Sequence, residues 1–186
     1  MNTGKSSFKI NDLVNIAICA VLIAICSWIS IPSVVPFTLQ TFAVFFVLEM
    51  LGGKNGTFSI LIYILMAAIG IPVLSGFAGG IGVLLGTTGG YVLGFIAIGL
   101  IYLLATKFIN TKLITRIIAM MVGLLVCYVF GTAWFITVYS RASGPIGIMT
   151  ALSWCVFPFI IPDIVKLALA ITLASRIRKI LIKSKS

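Results

Sequence analysis

Histidine is absent from the 186 residues, and the only carboxylates are Asp12, Glu49 and Asp163. The four cysteines, Cys19, Cys26, Cys127 and Cys155, stand in apolar runs with no C-x-x-C pair, which reads as reduced packing thiols. These shortages remove whole classes of chemistry. Without histidine or a cysteine cluster, a transition-metal site lacks ligands and Ser–His catalysis lacks its base. Gly86-Thr-Thr-Gly-Gly90 is not followed by the lysine of a phosphate-cradling G-x-x-x-x-G-K-[ST] loop, so the chain carries no ATPase motif. Acid/base work by two carboxylates would have to bring Glu49, beside a basic loop, to Asp163. No enzyme activity, cofactor or metal is expected.

What the chain has in abundance is apolar length. It is 61% hydrophobic and 9% charged, with a mean hydropathy of +1.28, which marks an integral membrane protein. Apolar runs predict an all-α protein with six transmembrane helices over 12–31, 38–52, 57–71, 81–106, 113–138 and 158–176, forming one membrane domain over 1–186. The second and third are short for a bilayer. Gly- and Pro-rich breaks separate the runs, among them Ile31-Pro-Ser-Val-Val-Pro36, Gly52-Gly-Lys-Asn-Gly56 and the stretch from Gly70 to Gly80. The apolar stretch after Lys5 and Lys9 reads as a first permanent span rather than a cleaved leader.

Charge orients this bundle. Lys5, Lys9, Lys54, Lys107, Lys112, Arg116, Arg176, Arg178, Lys179, Lys183 and Lys185 fall on the N-terminus, the second and fourth loops and the C-terminal tail. The remaining loops hold only Arg141. That asymmetry predicts cytoplasmic N and C termini. It also accounts for the net charge of +10 without a nucleic-acid partner, because the basic residues flank apolar spans. The tail reads as a topology anchor in contact with the lipid bilayer. The loops on the other side are nearly uncharged and concentrate Pro32, Ser33, Pro36 and Thr38, then Pro72, Ser75, Gly76, Gly79 and Gly80. Backbone of that kind tolerates membrane depth where it lines a cavity, so an outward-facing pocket is expected there.

Against this background Asp163 and Lys166 stand out. They lie in Ile160-Ile-Pro-Asp-Ile-Val-Lys-Leu-Ala-Leu-Ala170, and their spacing of three puts both side chains on one helix face. An ionisable residue at membrane depth costs a few kcal/mol or more, so it pairs, faces the bundle interior and marks a substrate or ion path. The plain alternative is an ion pair that pins two helices. Proline suits a first helical turn, and a helix starting near Pro162 would put Asp163 in its first turn, where the macrodipole favours a carboxylate. Arg176 follows 13 residues later, roughly 20 Å of helix, which sets the pair below the outer surface. Such a pair suits a small polar ligand bearing donors and acceptors. Phe37, Phe42, Phe77 and Tyr91 are candidates to clasp an apolar portion, and Thr38 and Gln40 to orient it.

Several segments in chain order resemble one family. Val35-Pro-Phe-Thr-Leu-Gln-Thr41, Leu51-Gly-Gly-Lys-Asn-Gly56, Tyr63 through Gly70-Ile-Pro-Val73, Gly86-Thr-Thr-Gly-Gly-Tyr-Val-Leu-Gly-Phe95 and Pro158-Phe-Ile-Ile-Pro-Asp-Ile-Val-Lys166 are similar to the BioY family. These are the biotin-specific substrate-binding (S) components of energy-coupling-factor (ECF) transporters. The chain departs from the family pattern at Thr87, a proline in the usual G-P-T-G-G-Y run, and around Ile161, where Pro-Gly often precedes the Asp. The resemblance implies an S-component-like bundle of six helices in a prokaryotic plasma membrane, holding biotin near the outer face. It implies partners too: a membrane coupling protein and two cytoplasmic ATPases that drive release. Asp163 and Lys166 would engage the polar groups of biotin, with either the ureido ring or the valerate carboxylate claiming Lys166. Tyr91 and the Gly89-Gly90 backbone would line the cavity, and Gln40 with Thr38 would close it, near Ser75 and Phe77 of the outer loops.

In the first span, Ala17, Ala20, Ala24 and Ser27 form a small-residue stripe that permits close helix approach. Packing within the bundle and docking of a partner are both open from the residues. The resemblance implies docking on the coupling protein, chiefly through Ala20 and Ala24. A rival reading is a self-sufficient secondary transporter in which Asp163 carries a proton coupled to solute. Six helices without a visible repeat are few for that architecture.

Overall fold

The computed structural model describes residues 9–183. Lys5 and Lys185, and the side chain of Lys183, lie outside the described residues. Seven helices occur in the described part: α1 (Ile10–Trp28), α2 (Gln40–Ala68), α3 (Ile81–Leu84), α4 (Gly89–Phe108), α5 (Leu113–Ser143), α6 (Ile148–Cys155) and α7 (Phe157–Lys183). Five stretches are long and apolar enough to cross a membrane, namely α1, α2, α4, α5 and the continuous run Ile148–Ile180. Helix is the expected solution because a spanning segment must satisfy its backbone internally.

The stretch α2 is not one rod. Gly52 has φ 76° and ψ 174°, a conformation open to glycine alone at low cost. Gln40 Nε2 donates to Tyr63 Oη at 2.7 Å across 23 residues, which in a straight helix would stand roughly 35 Å apart. The chain therefore doubles back at Gly52 into two antiparallel arms. The expected loop over Gly52–Gly56 shrinks to that residue, and helix resumes at Gly53.

Three other boundaries differ from the sequence reading. The run expected as one helix over 81–106 breaks at Leu85–Thr88 into α3 and α4. α5 continues to Ser143, five residues past the expected 138. The short α6 precedes α7, which starts at Phe157 with Pro162 inside it, so Asp163 falls beyond the first turn. The macrodipole therefore does not explain that carboxylate's place, because its effect fades beyond the first turn.

The doubled α2 is the hub, packing on α1, α4 and α7, while α4 lies along α5. Tyr63, Phe45, Leu48, Ile60 and Ile98 are fully buried in this centre. Leu13, Ile18 and Val21 of α1, and Val122, Leu125 and Val129 of α5, are exposed. Such apolar flanks fit lipid. At one end, a two-stranded antiparallel ribbon, β1 (Ser30–Ile31) with β2 (Phe37–Thr38), links α1 to α2. A single 3-10 turn at Ser75–Phe77 lies between α2 and α3. These irregular pieces position the site.

Candidate functional site

Asp163 and Lys166 are 1% and 5% exposed, and Lys166 Nζ lies 2.7 Å from Asp163 Oδ1. A buried carboxylate needs more than one partner, because desolvation consumes most of the Coulomb gain of a pair. Asp163 has two more. Thr41 Oγ1 donates to Oδ1 at 2.9 Å and Tyr128 Oη donates to Oδ2 at 2.6 Å. Lys166 Nζ also donates to Thr41 Oγ1 at 3.1 Å and sits 4.3 Å from the centre of the Phe37 ring. An ammonium over a ring face is held by the ring quadrupole. Phe37 in turn stacks on Phe159 at 5.6 Å between ring centroids. Four elements, β2, α2, α5 and α7, thus converge on one charged pair.

The pair borders a cavity of about 130 Å³ open to the centres of water-sized molecules. One water needs roughly 10–15 Å³ by that measure, so the space suits a small organic ligand. The ribbon contributes Val35, Pro36 and Thr38, the 3-10 turn contributes Ser75, and α4 contributes Gly89, Tyr91 and Phe95. Across from them stand Leu124, Cys127 and Tyr128 of α5, and Cys155 of α6. Of the Pro, Gly and hydroxyl residues expected to fold back into a cavity, Pro36, Thr38 and Ser75 line it, while Pro32, Ser33, Pro72, Gly76, Gly79 and Gly80 lie outside the lining. A mostly apolar wall with one polar cluster is the usual make-up of a small-molecule site.

The sequence candidates separate cleanly. Thr38, Gln40, Ser75, Gly89, Tyr91, Asp163 and Lys166 line the cavity. Gln40 is committed to Tyr63, and Thr38 Oγ1 accepts the Gln40 N–H at 3.2 Å, so these two brace the entry to α2. Tyr91 pairs with Thr132 at 2.9 Å between hydroxyl oxygens. Its ring lies on Gly131, where an added Cβ would come within 2.2 Å of Tyr91 Cδ1. Gly90 lies apart from the lining. A Cβ there would meet Trp134 at 2.4 Å, so its role is close approach of α4 to α5. Phe77, 65% exposed, stacks on Trp28 at 5.0 Å outside the cavity. Phe42 stacks on Phe46 instead of lining it. Thr41 and Tyr128 were missed by sequence reasoning. Thr41 had a signal, since it closes the Val35–Thr41 motif, whereas nothing local marks Tyr128 among the tyrosines.

The small-residue stripe of α1 lies largely against the rest of the chain. Ala20, Ala24 and Ser27 are 1%, 2% and 0% exposed, and Ser27 Oγ donates to the Val73 carbonyl at 2.5 Å. These three residues are buried within the chain, and Ala17 alone of the four is exposed. Glu49 is bound 2.7 Å from Arg116 Nη1, away from Asp163.

The family model for BioY matches residues 1–183. The chain belongs to the BioY family. It is 41% identical over 145 residues to a probable biotin transporter BioY of Pyrococcus horikoshii, covering 77% of this chain and 81% of that one. It is 37% identical over 171 residues to a biotin transporter BioY of Thermotoga maritima, covering 91% and 96%. Among solved structures, the S-component for biotin from an ECF-type ABC transporter superposes with a TM-score of 0.78 at 28% identity, over 96% of this chain and 95% of that one. Membership sets this BioY chain among membrane transport proteins and outside the enzymes.

Proposed function

We infer that this BioY chain is the biotin-capturing S component of an ATP-driven ECF importer in a prokaryotic plasma membrane. It has six crossings, since α2 doubles back, and cytoplasmic termini by the charge asymmetry. The cavity then opens outward. The reading is supported by the names of the relatives and of the solved neighbour. It is carried by one observation: Asp163, Lys166, Thr41 and Tyr128 form a single hydrogen-bonded cluster in an otherwise apolar cavity. The ureido ring of biotin brings two N–H donors and a carbonyl acceptor, and its tail brings a carboxylate. Asp163 accepts hydrogen bonds and Lys166 donates them, while Phe95, Leu124 and Tyr91 enclose the apolar part. Release is driven by a coupling membrane protein and two cytoplasmic ATPases, as the resemblance to the S components of ECF transporters implies.

Calorimetric titration of the purified protein with biotin tests the capture step, with saturable one-site binding expected. Absence of binding overturns the reading. Vesicles holding the chain alone under a pH gradient without ATP are expected to show no accumulation. Robust accumulation would favour the proton-coupled alternative.

A further inference from the structure

A second polar cluster lies far from the cavity. Arg178 follows Asp163 by 15 residues on α7, roughly 22 Å along the helix. There, a cleft is lined by Lys54 beside the Gly52 turn, Lys107 at the end of α4, Arg116 at the start of α5, and Arg178. Among the described residues Glu49 is the one carboxylate in its lining, beside these four cationic side chains. Glu49 is 1% exposed, and both its oxygens are engaged: Oε2 by Arg116 Nη1 at 2.7 Å and Oε1 by Tyr102 Oη at 3.1 Å. Arg178 donates to the Glu49 backbone carbonyl. Arg116 Nε is buried with no acceptor among the described residues. Around the adjoining connection from α4 to α5, Phe108 at the end of α4, Ile109 after it and Ile114 of α5 are 72%, 71% and 69% exposed.

We propose that this cleft binds the phosphate of an anionic phospholipid, with an acyl chain against Phe108, Ile109 and Ile114. Guanidinium and ammonium groups are the usual phosphate partners, and basic pockets between spans at the cytoplasmic side take acidic headgroups. Lys107 Nζ lies 5.2 Å from the centre of the exposed Phe108 ring, and an apolar surface next to a cation favours an amphiphile over a free anion. A headgroup held there joins the Gly52 turn, α4, α5 and α7. The inference does not depend on the ligand of the other cavity.

Native mass spectrometry of the detergent-solubilised protein tests this with short-chain phosphatidylglycerol, the matching phosphatidylcholine, and inorganic phosphate. Selective retention of phosphatidylglycerol is expected, weakened about tenfold in Lys107→Gln and further in Lys107→Gln/Arg178→Gln. Lys107 is exposed, so the single variant is expected to fold, and its biotin affinity serves as the control. Equal retention of the two lipids overturns the proposal, as does retention unchanged in Lys107→Gln. Inorganic phosphate competing at the same concentration as the lipid would instead assign a free-anion site and also overturn it.

Discussion

Tyr128 donates to Asp163 Oδ2 at 2.6 Å while Lys166 and Thr41 share Oδ1, so α5 holds one edge of the carboxylate and α2 and α7 the other. This clamp fixes Asp163 in one orientation before any ligand arrives. Preorganisation of that kind lowers the cost of binding.

Removing the phenol leaves the carboxylate free to turn. Tyr128→Phe is expected to weaken biotin binding roughly ten- to hundredfold, in line with about 1.5–3 kcal/mol for a hydrogen bond to a charged group. Calorimetry measures it. Wild-type affinity would make the contact a packing feature only.

Charge balance makes a different demand. Asp163→Asn leaves the Lys166 ammonium, 5% exposed, without its carboxylate, and loss of one partner of a buried pair costs about 3–5 kcal/mol. A large fall in melting temperature is expected in detergent. Asp163→Leu/Lys166→Met removes both charges and is expected to regain most of that stability without recovering biotin binding. A double variant as unstable as Asp163→Asn would contradict this account.

The Tyr91 ring needs the flat surface of Gly131. Gly131→Ala would force a Cβ to within 2.2 Å of that ring, and overpacking costs about 1–3 kcal/mol. Lower stability and weaker biotin binding are expected together, and adding Tyr91→Ala should restore stability alone. Thermal unfolding with and without biotin separates the two effects.

The stripe on α1 offers a contrast within one helix. Ala20 is 1% exposed, so Ala20→Trp is expected to abolish the folded monomer peak in size-exclusion chromatography. Ala17→Trp, at an exposed position, should elute as wild type. Normal elution of Ala20→Trp would show that the α1–α2 seam is open enough to receive a partner.

Much of the architecture was legible from local rules. Long apolar runs mark helices because lipid offers the backbone no partners, and a spacing of three sets Asp163 and Lys166 on one face whatever surrounds them. The Gly52–Gly56 break already marked the reversal between the spans 38–52 and 57–71, although only the φ of 76° at Gly52 shows that one residue suffices. Pro162 misled, because it lies inside α7, which already starts at Phe157.

Rotation and pairing were the tertiary structure's to decide. Thr41 and Tyr128 reach Asp163 across 122 and 35 residues, a convergence that depends on how α2 and α5 are turned about their axes. Helices that are apolar nearly all round carry no stripe to reveal that rotation. The same blindness left packing and docking both open for Ala20 and Ala24, and it set Gly90 and Phe77 among the cavity candidates. Apolar composition and charge asymmetry were enough to establish a membrane bundle with one anomalous ion pair. Only interhelical packing could choose the partners that turn the pair into a clamped site, because those contacts join residues with no shared local pattern.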